Sequence, residues 1–184
     1  MKYVKGDLFD HVSDAPEGVV TIIPHIVNNV GAWGAGFVLP LAKKYPKARA
    51  AYFMVDEWKL GSIQLVATDD SEMVFVANMV GQEGIGKKDG VPPIRYEELK
   101  KCMYAVRDAA KAIQIAGKEV RIMCPMFGAG LAGGDWNTIA LMIFLLWSEE
   151  GIDTTVFFLP GNLPEGINEN ELLRTEPDDN NGRT

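Results

Sequence analysis

Apolar positions recur along this chain with two different periods, and the alternation between them orders the elements. Residues 2–4 are a short extended run that ends at Gly6-Asp7. Residues 19–27 (VVTIIPHIV) form a continuous run rich in β-branched side chains, the pattern of a strand covered on both faces. Pro24 brings no N–H to a ladder, so this strand is expected to be irregular there or to lie at an edge. Two helices are predicted next, over 37–44 and 47–58. Pro40 fits only the first turn of the former, and Ala50, Phe53, Met54 and Trp58 fall on one side of the latter. Residues 63–68 and 73–80 read as an antiparallel pair joined through Asp69-Asp70-Ser71. Tyr96, Leu99, Met103, Val106, Ala110 and Ile113 recur at three and four, which predicts an amphipathic helix ending at Gly117. A strand over 120–126, a helix over 136–150 with Asp135 as its N-cap, and a last strand over 154–159 complete the order. Strands alternating with helices predict an α/β domain with a mostly parallel or mixed sheet and helices on both faces.

Two glycine-rich segments stand out because each follows a strand and each opens a helix: Gly31-Ala-Trp-Gly-Ala-Gly36 and Gly128-Ala-Gly-Leu-Ala-Gly-Gly134. Ligands of open α/β sheets gather beyond the carboxyl ends of strands, where helix N-termini present unpaired amides. A pyrophosphate held between 34–36 and 128–132 would be neutralised by main-chain N–H groups without an arginine. The alternative is that these glycines only turn the chain. Neither segment is a dinucleotide-binding fingerprint, and the Gly-Lys-Ser/Thr of a phosphate-binding P-loop is missing.

Three stretches carry a family resemblance: Val4-Lys-Gly-Asp-Leu-Phe9, His25-Ile-Val-Asn-Asn-Val-Gly-Ala-Trp-Gly-Ala-Gly36 and Met126-Phe-Gly-Ala-Gly-Leu-Ala-Gly-Gly-Asp-Trp136. In order and spacing they resemble the macro domain family over nearly all of residues 2–160. The branch they look most like holds the yeast-type ADP-ribose-1''-phosphate phosphatases and the terminal ADP-ribose protein glycohydrolases. Trp33 to Ala48 looks like the phosphatase side. The resemblance implies a three-layer α/β/α sandwich with a mixed central sheet, and an ADP-ribose ligand with no cofactor or metal.

It also assigns roles. The Asp7 carboxylate is expected to accept the adenine amine, completed by the Leu8 main chain, with Leu159 and Asn162 along the adenine slot. The phosphates are expected against Gly34, Ala35, Gly36, Phe127, Gly128, Ala129, Gly130, Leu131 and Ala132. Asn28 is expected at the distal ribose, where an amide both donates and accepts; its bland alternative, and that of Asn29, is a loop-shaping Asx-turn. His25 is either a satisfied core residue or a proton carrier for the leaving group. Trp33 either caps the distal ribose or locks its loop against the helix over 37–44. Asp89, beside Lys87 and Lys88 in the long loop 81–93, is the second candidate for handling protons. The lysine and aspartate of the glycohydrolase type are replaced by Gln82 and Ala132, which speaks against a lysyl intermediate. Three readings share the pocket: hydrolysis of ADP-ribose 1''-phosphate, removal of mono-ADP-ribose from proteins, and binding without turnover.

Composition narrows the partners. The chain of 184 residues, 47% hydrophobic, is enough for one core. Residues 1–164 read as that domain, and 165–184 as an acidic, disordered tail. The tail's six acidic residues against Arg174 and Arg183 account for −4 of the net −7, so general nucleic-acid binding is not expected. The longest apolar run, 139–147, is far too short to cross a bilayer and is either deeply buried or part of a dimer seam, so monomer and dimer both stay open. No apolar leader follows the first residues. Cys102 and Cys124 lie in apolar patterns and are expected as free buried thiols, which fits the cytoplasm.

Overall fold

The computed structural model describes residues 1–68, 71, 73–163, 166 and 167. Apart from Gly166 and Ile167, the expected acidic tail lies outside these residues, as do Asp69 and Asp70 of the expected turn. Six strands form one sheet: β1 (Lys2–Lys5), β2 (Val20–Asn28), β3 (Ile63–Ala67), β4 (Val74–Gln82), β5 (Val120–Pro125) and β6 (Asp153–Phe158). Their spatial order is β1-β6-β5-β2-β4-β3, all parallel except β3, which runs antiparallel to β4 as the sequence predicts. Helices α1 (Leu8–His11), α2 (Val38–Lys44) and α3 (Pro46–Phe53) cover one face, where Leu8, Ile23, Val27, Leu41, Tyr52 and Val80 pack together. On the other face α4 (Tyr96–Ile115) and α5 (Trp136–Ile143) close a larger core with Ile22, Met79, Met103, Ile122 and Ile139. The result is the three-layer α/β/α sandwich with a mixed sheet.

Pro24 sits in a central strand, and the ladder breaks beside it. Val20 donates to Glu119 of the β5 side and Thr21 to Met73 of the β4 side, so the even residues of β2 point their N–H toward β5. Pairing of β2 with β5 covers only Val20, Thr21 and Ile22, while pairing with β4 continues to Asn28. The missing N–H of Pro24 removes the next rung toward β5, and the two strands part. They part at the point where the connections diverge, from β2 toward β4 on one side and from β5 to β6 on the other. Such a switch point is where open α/β sheets form crevices.

Three elements differ from the periodicity. The four-residue α1 and the 3-10 turn Val12–Asp14 after it are too short to leave a period. The second helix stops at Phe53 rather than running to 58, because Met54 and Val55 donate back to Ala51 and Tyr52 and tighten the last turn. Trp58 still reaches the core, stacked on Tyr52 at 5.0 Å. After Ile143 the last helix widens into a π-helical turn, Phe144–Ser148, and fully buried Trp147 donates its Nε1–H to Met103 O. Both sides of that helix are apolar: Ile139, Ile143 and Trp147 are buried, while Leu141 and Leu145 are more than half exposed. Cys102 and Cys124 are free and buried, and burial pushes both thiols upward. Among the described residues no helix is long and apolar enough to cross a membrane.

Candidate functional site

Two cavities lie beyond the carboxyl ends of the parallel strands. The larger, about 490 Å³, is bounded by the end of β2 (His25 to Asn28), both glycine loops, and Ile85 and Gly86 of the long loop. The smaller, about 330 Å³, is bounded by Asp7, Leu8, Phe9, Pro40, Phe158, Leu159 and Asn162. Gly36, Phe37, Pro125 and Met126 line both, so the two are compartments of one cleft. Each volume lies in the range of small-molecule sites.

The wall is built by local chemistry. Asp7 caps α1, its Oδ1 accepting from Phe9 N at 3.0 Å. That cap turns Phe9 onto Phe37, with ring centroids 5.4 Å apart and planes within 10°. Gly36 (φ 76°) turns the first loop into α2, and Gly128 (φ 81°) turns the second away from β5. At Gly134 a Cβ would stand 2.8 Å from Gly128 O and 2.6 Å from Ile94 Cδ1, so no side chain fits where the second loop folds back. Asp135 then caps α5 as expected, accepting from Thr138 N at 2.8 Å and Thr138 Oγ1 at 2.6 Å, which holds its carboxyl below the usual range.

Between these turns lie main-chain donors without partners. The amides of Gly34, Ala35, Gly36 and Phe37, and those of Gly128, Ala129, Gly130, Leu131 and Ala132, donate to no acceptor among the described residues. All but Ala129 belong to residues that line the larger cavity. Among the described residues no lysine or arginine lines either compartment.

Asn28 is both wall and loop clamp. Its Oδ1 accepts from Val30 N (3.1 Å), Ala32 N (2.9 Å) and Tyr52 Oη (3.2 Å), and its Nδ2 donates to Ala32 O at 2.7 Å. One N–H of the amide is left over at the cavity wall. Tyr52 also donates to Asn28 O at 2.8 Å, and burial pushes its phenol up to about 12. His25 lines the same cavity yet is 1% exposed, with Nε2 2.6 Å from Asn78 Oδ1 and Nδ1 without a partner among the described residues. Burial pushes its imidazole down to about 4, against smaller upward pulls from the Asn78 hydrogen bond and from the Ile26 main chain.

Other residues named from the sequence stand apart. Trp33 lines neither compartment; it is buried against His25 and Tyr52, and its Nε1–H donates to Val38 O at 3.0 Å, tying the first loop to α2. Asn29 Oδ1 accepts from Gly84 N at 2.8 Å and braces the long loop. Asp89 lines neither compartment: with φ 52°, followed by Gly90 at φ 80°, it forms the tip of a tight turn closed by Lys88 and Val91. Conversely, Phe9, Phe37, Pro40, Ile85 and Met126 line the cleft without having been singled out. Apolar residues carry no chemical signature, whether in a short helix, as Phe9 and Pro40 are, or in a loop, and only the structure brings them to one wall. Among the described residues no three of His, Cys, Asp and Glu gather into a metal-holding group.

No protein-family model matches the chain. Over 148 residues it is 26% identical to the ADP-ribose 1''-phosphate phosphatase of Lodderomyces elongisporus, covering 77% of this chain and 90% of that protein. A protein of unknown function from Bacteroides thetaiotaomicron has a similar solved structure, 35% identical, with a TM-score of 0.72 over 85% of this chain and 96% of that one. The macrodomain protein of Streptomyces coelicolor is 32% identical, with a TM-score of 0.65 over 85% of this chain and 97% of that one. With that identity along almost the whole of a macrodomain protein, the chain belongs to the macrodomain family.

Proposed function

We propose that the chain binds ADP-ribose along the two-compartment cleft and hydrolyses ADP-ribose 1''-phosphate to ADP-ribose and phosphate. One observation carries the binding half: two runs of unpartnered amides meet across a single cavity. Hydrogen bonds to a charged acceptor contribute roughly 1.5–3 kcal/mol each. A handful of them offsets much of the roughly 4–15 kcal/mol that association costs. Adenine then lies in the smaller compartment, between the Phe9–Phe37 stack and Leu159, with Asp7 and Leu8 at its edge. The distal ribose lies in the larger one against Asn28, and the diphosphate lies between the glycine loops.

For the reaction, a water oxygen bonds to phosphorus, the P–O1'' bond breaks, and the water's proton ends on O1''. The loop amides stabilise the added negative charge, and His25 is the one titratable side chain among the described residues that line the larger cavity. At pH 7 it is neutral, because burial pushes its imidazole down to about 4. Asp89 stands outside the cleft walls, which favours His25 over it. The name of the Lodderomyces relative supports this substrate. The lysyl route to protein-linked ADP-ribose lacks support, since Gln82 spends its Nε2 on Gly84 O and Ala132 has no acid. The test is release of inorganic phosphate from ADP-ribose 1''-phosphate by the purified chain, alongside calorimetry with ADP-ribose. Turnover that falls by roughly 10²-fold or more in His25→Ala with unchanged ADP-ribose affinity is the expected result. Binding without phosphate release would leave a reader in place of an enzyme.

A further inference from the structure

On the sheet face covered by α2 and α3, three polar side chains stand side by side among apolar ones. His25 of β2 is opposite Asn78 of β4, and Asn78 is opposite Gln64 of β3. Asn78 is fully buried. Burying an amide this deeply is unfavourable unless every polar atom finds a partner, and here each does. Gln64 Nε2 donates to Ala51 O at 3.0 Å, in the last turn of α3. Asn78 Nδ2 donates to Gln64 Oε1 at 2.9 Å and to Ala48 O at 3.4 Å, and His25 Nε2 lies 2.6 Å from Asn78 Oδ1.

The direction of this row is forced from its far end. A main-chain carbonyl only accepts, so the end of Gln64 that faces Ala51 O is the NH₂ and the end that faces Asn78 is the oxygen. That oxygen, with Ala48 O, requires the NH₂ of Asn78, which leaves Asn78 Oδ1 toward the ring. An amide oxygen cannot donate, so the proton of the neutral imidazole is on Nε2 and the lone pair is on Nδ1. Trp33 and Phe37 hold the ring in place, with centroids 5.5 and 5.9 Å away.

We propose that Gln64 and Asn78 are positioning residues that fix His25 as the Nε2–H tautomer; Nδ1 is buried and unpartnered among the described residues, and it receives the proton of the attacking water once the Trp33–Phe37 cover shifts on binding. The catalytic half of this rests on the phosphatase reading above. The water oxygen bonds to phosphorus while its proton passes to Nδ1. The P–O1'' bond breaks, O1'' takes the proton from Nδ1, and the ring is neutral again. Throughout, Asn78 Oδ1 holds the Nε2–H, so the imidazolium formed in passing keeps a partner.

Imidazole ¹⁵N spectra at pH 7 test the tautomer without any turnover. The chain has two histidines, and His11→Gln assigns the signals. His25 is expected to show a protonated Nε2 and a bare Nδ1. In Asn78→Leu and Gln64→Met the two tautomers mix, and kcat falls by about tenfold or more while the Kd for ADP-ribose changes by less than about threefold. Gln64→Glu keeps an oxygen toward Asn78 but sets a second acceptor against Ala51 O, so its spectrum and kcat are expected to fall between those of Gln64→Met and the parent chain. Should Asn78→Leu not fold, the Gln64 pair on the edge strand β3 carries the same comparison. A proton on Nδ1 of the unsubstituted chain overturns the proposal, as does a Gln64→Met protein that mixes tautomers at unaltered kcat. The expected spectrum with no phosphate release overturns the catalytic half together with the phosphatase reading, and the place of the proton stands.

Discussion

A single buried histidine sets a measurable acid sensitivity. In the folded chain His25 titrates near 4, because burial disfavours the charged ring, against about 6.5 once unfolded. Above pH 6.5 both states are neutral at this position and it contributes nothing to the slope. Between 6.5 and 4 the unfolded chain takes up a proton that the folded chain refuses, so stability is lost as pH falls. At 1.36 kcal/mol per pKa unit the loss approaches roughly 3 kcal/mol by pH 4. Urea unfolding at pH 7 and pH 4.5 should therefore show a steeper decline in the parent chain than in His25→Gln. Parallel declines would mean the ring is more hydrated than its 1% exposure implies. Asn28 makes the complementary case. Its amide spends four bonds on the loop and on Tyr52, so Tyr52→Phe should destabilise the chain by about 1 kcal/mol and weaken ADP-ribose binding together. Affinity that holds while stability falls would separate the loop's shape from its ligand.

At the scale of loops and strands, the glycines divide by what a side chain would meet. At Gly130 a Cβ has nothing within 4 Å and φ lies outside the left-handed region, whereas at Gly134 it would collide with Gly128 O and Ile94. Gly130→Val is thus expected to leave the Tm unchanged while lowering ADP-ribose affinity by at least about tenfold. Gly134→Ala is expected to destabilise the fold by about 1–3 kcal/mol. Calorimetry and thermal denaturation of the two variants check the division, and a Gly130→Val protein that binds normally would remove the diphosphate from the second loop. The same contrast shows what the sequence makes legible. Strand and helix order follow from period, and the two glycine loops from their place between a strand and a helix. The pairing of β2 with β4 is not local, so the partnership of His25 with Asn78 and Gln64 cannot be read from residues 53 and 39 positions away in the chain. Likewise Asn28 reads as a ribose contact or a turn until Tyr52 is seen to reach it from α3. Pro24 gives half an answer. Its missing N–H is plain, but only the sheet order shows that the broken rung opens the cleft rather than marking an edge.

For the molecule as a whole, the formal charge is −7, and among the described residues no cationic side chain lines the cleft. A diphosphate approaching this surface gains no long-range attraction and is met only by dipoles at contact. Binding to arrays of lysine and arginine weakens steeply with salt, because neutralising phosphates with cations releases counterions and screening removes the attraction. Amide donors release none. The Kd for ADP-ribose is therefore expected to change by less than about threefold between 50 and 500 mM salt, and to fall rather than rise, as screening relieves the repulsion between ligand and protein. Lys87 and Lys88 provide the alternative. They directly precede Asp89 at the turn of the long loop, whose residues Ile85 and Gly86 already form part of the cleft wall. If that loop folded down on the ligand, the two ammonium groups would supply the neutralisation, and salt would weaken binding by tenfold or more over the same range. Calorimetric titrations at the two salt concentrations, repeated with Lys87→Gln/Lys88→Gln, distinguish the cases. A steep salt dependence abolished by the double substitution would transfer the diphosphate from the glycine amides to the loop.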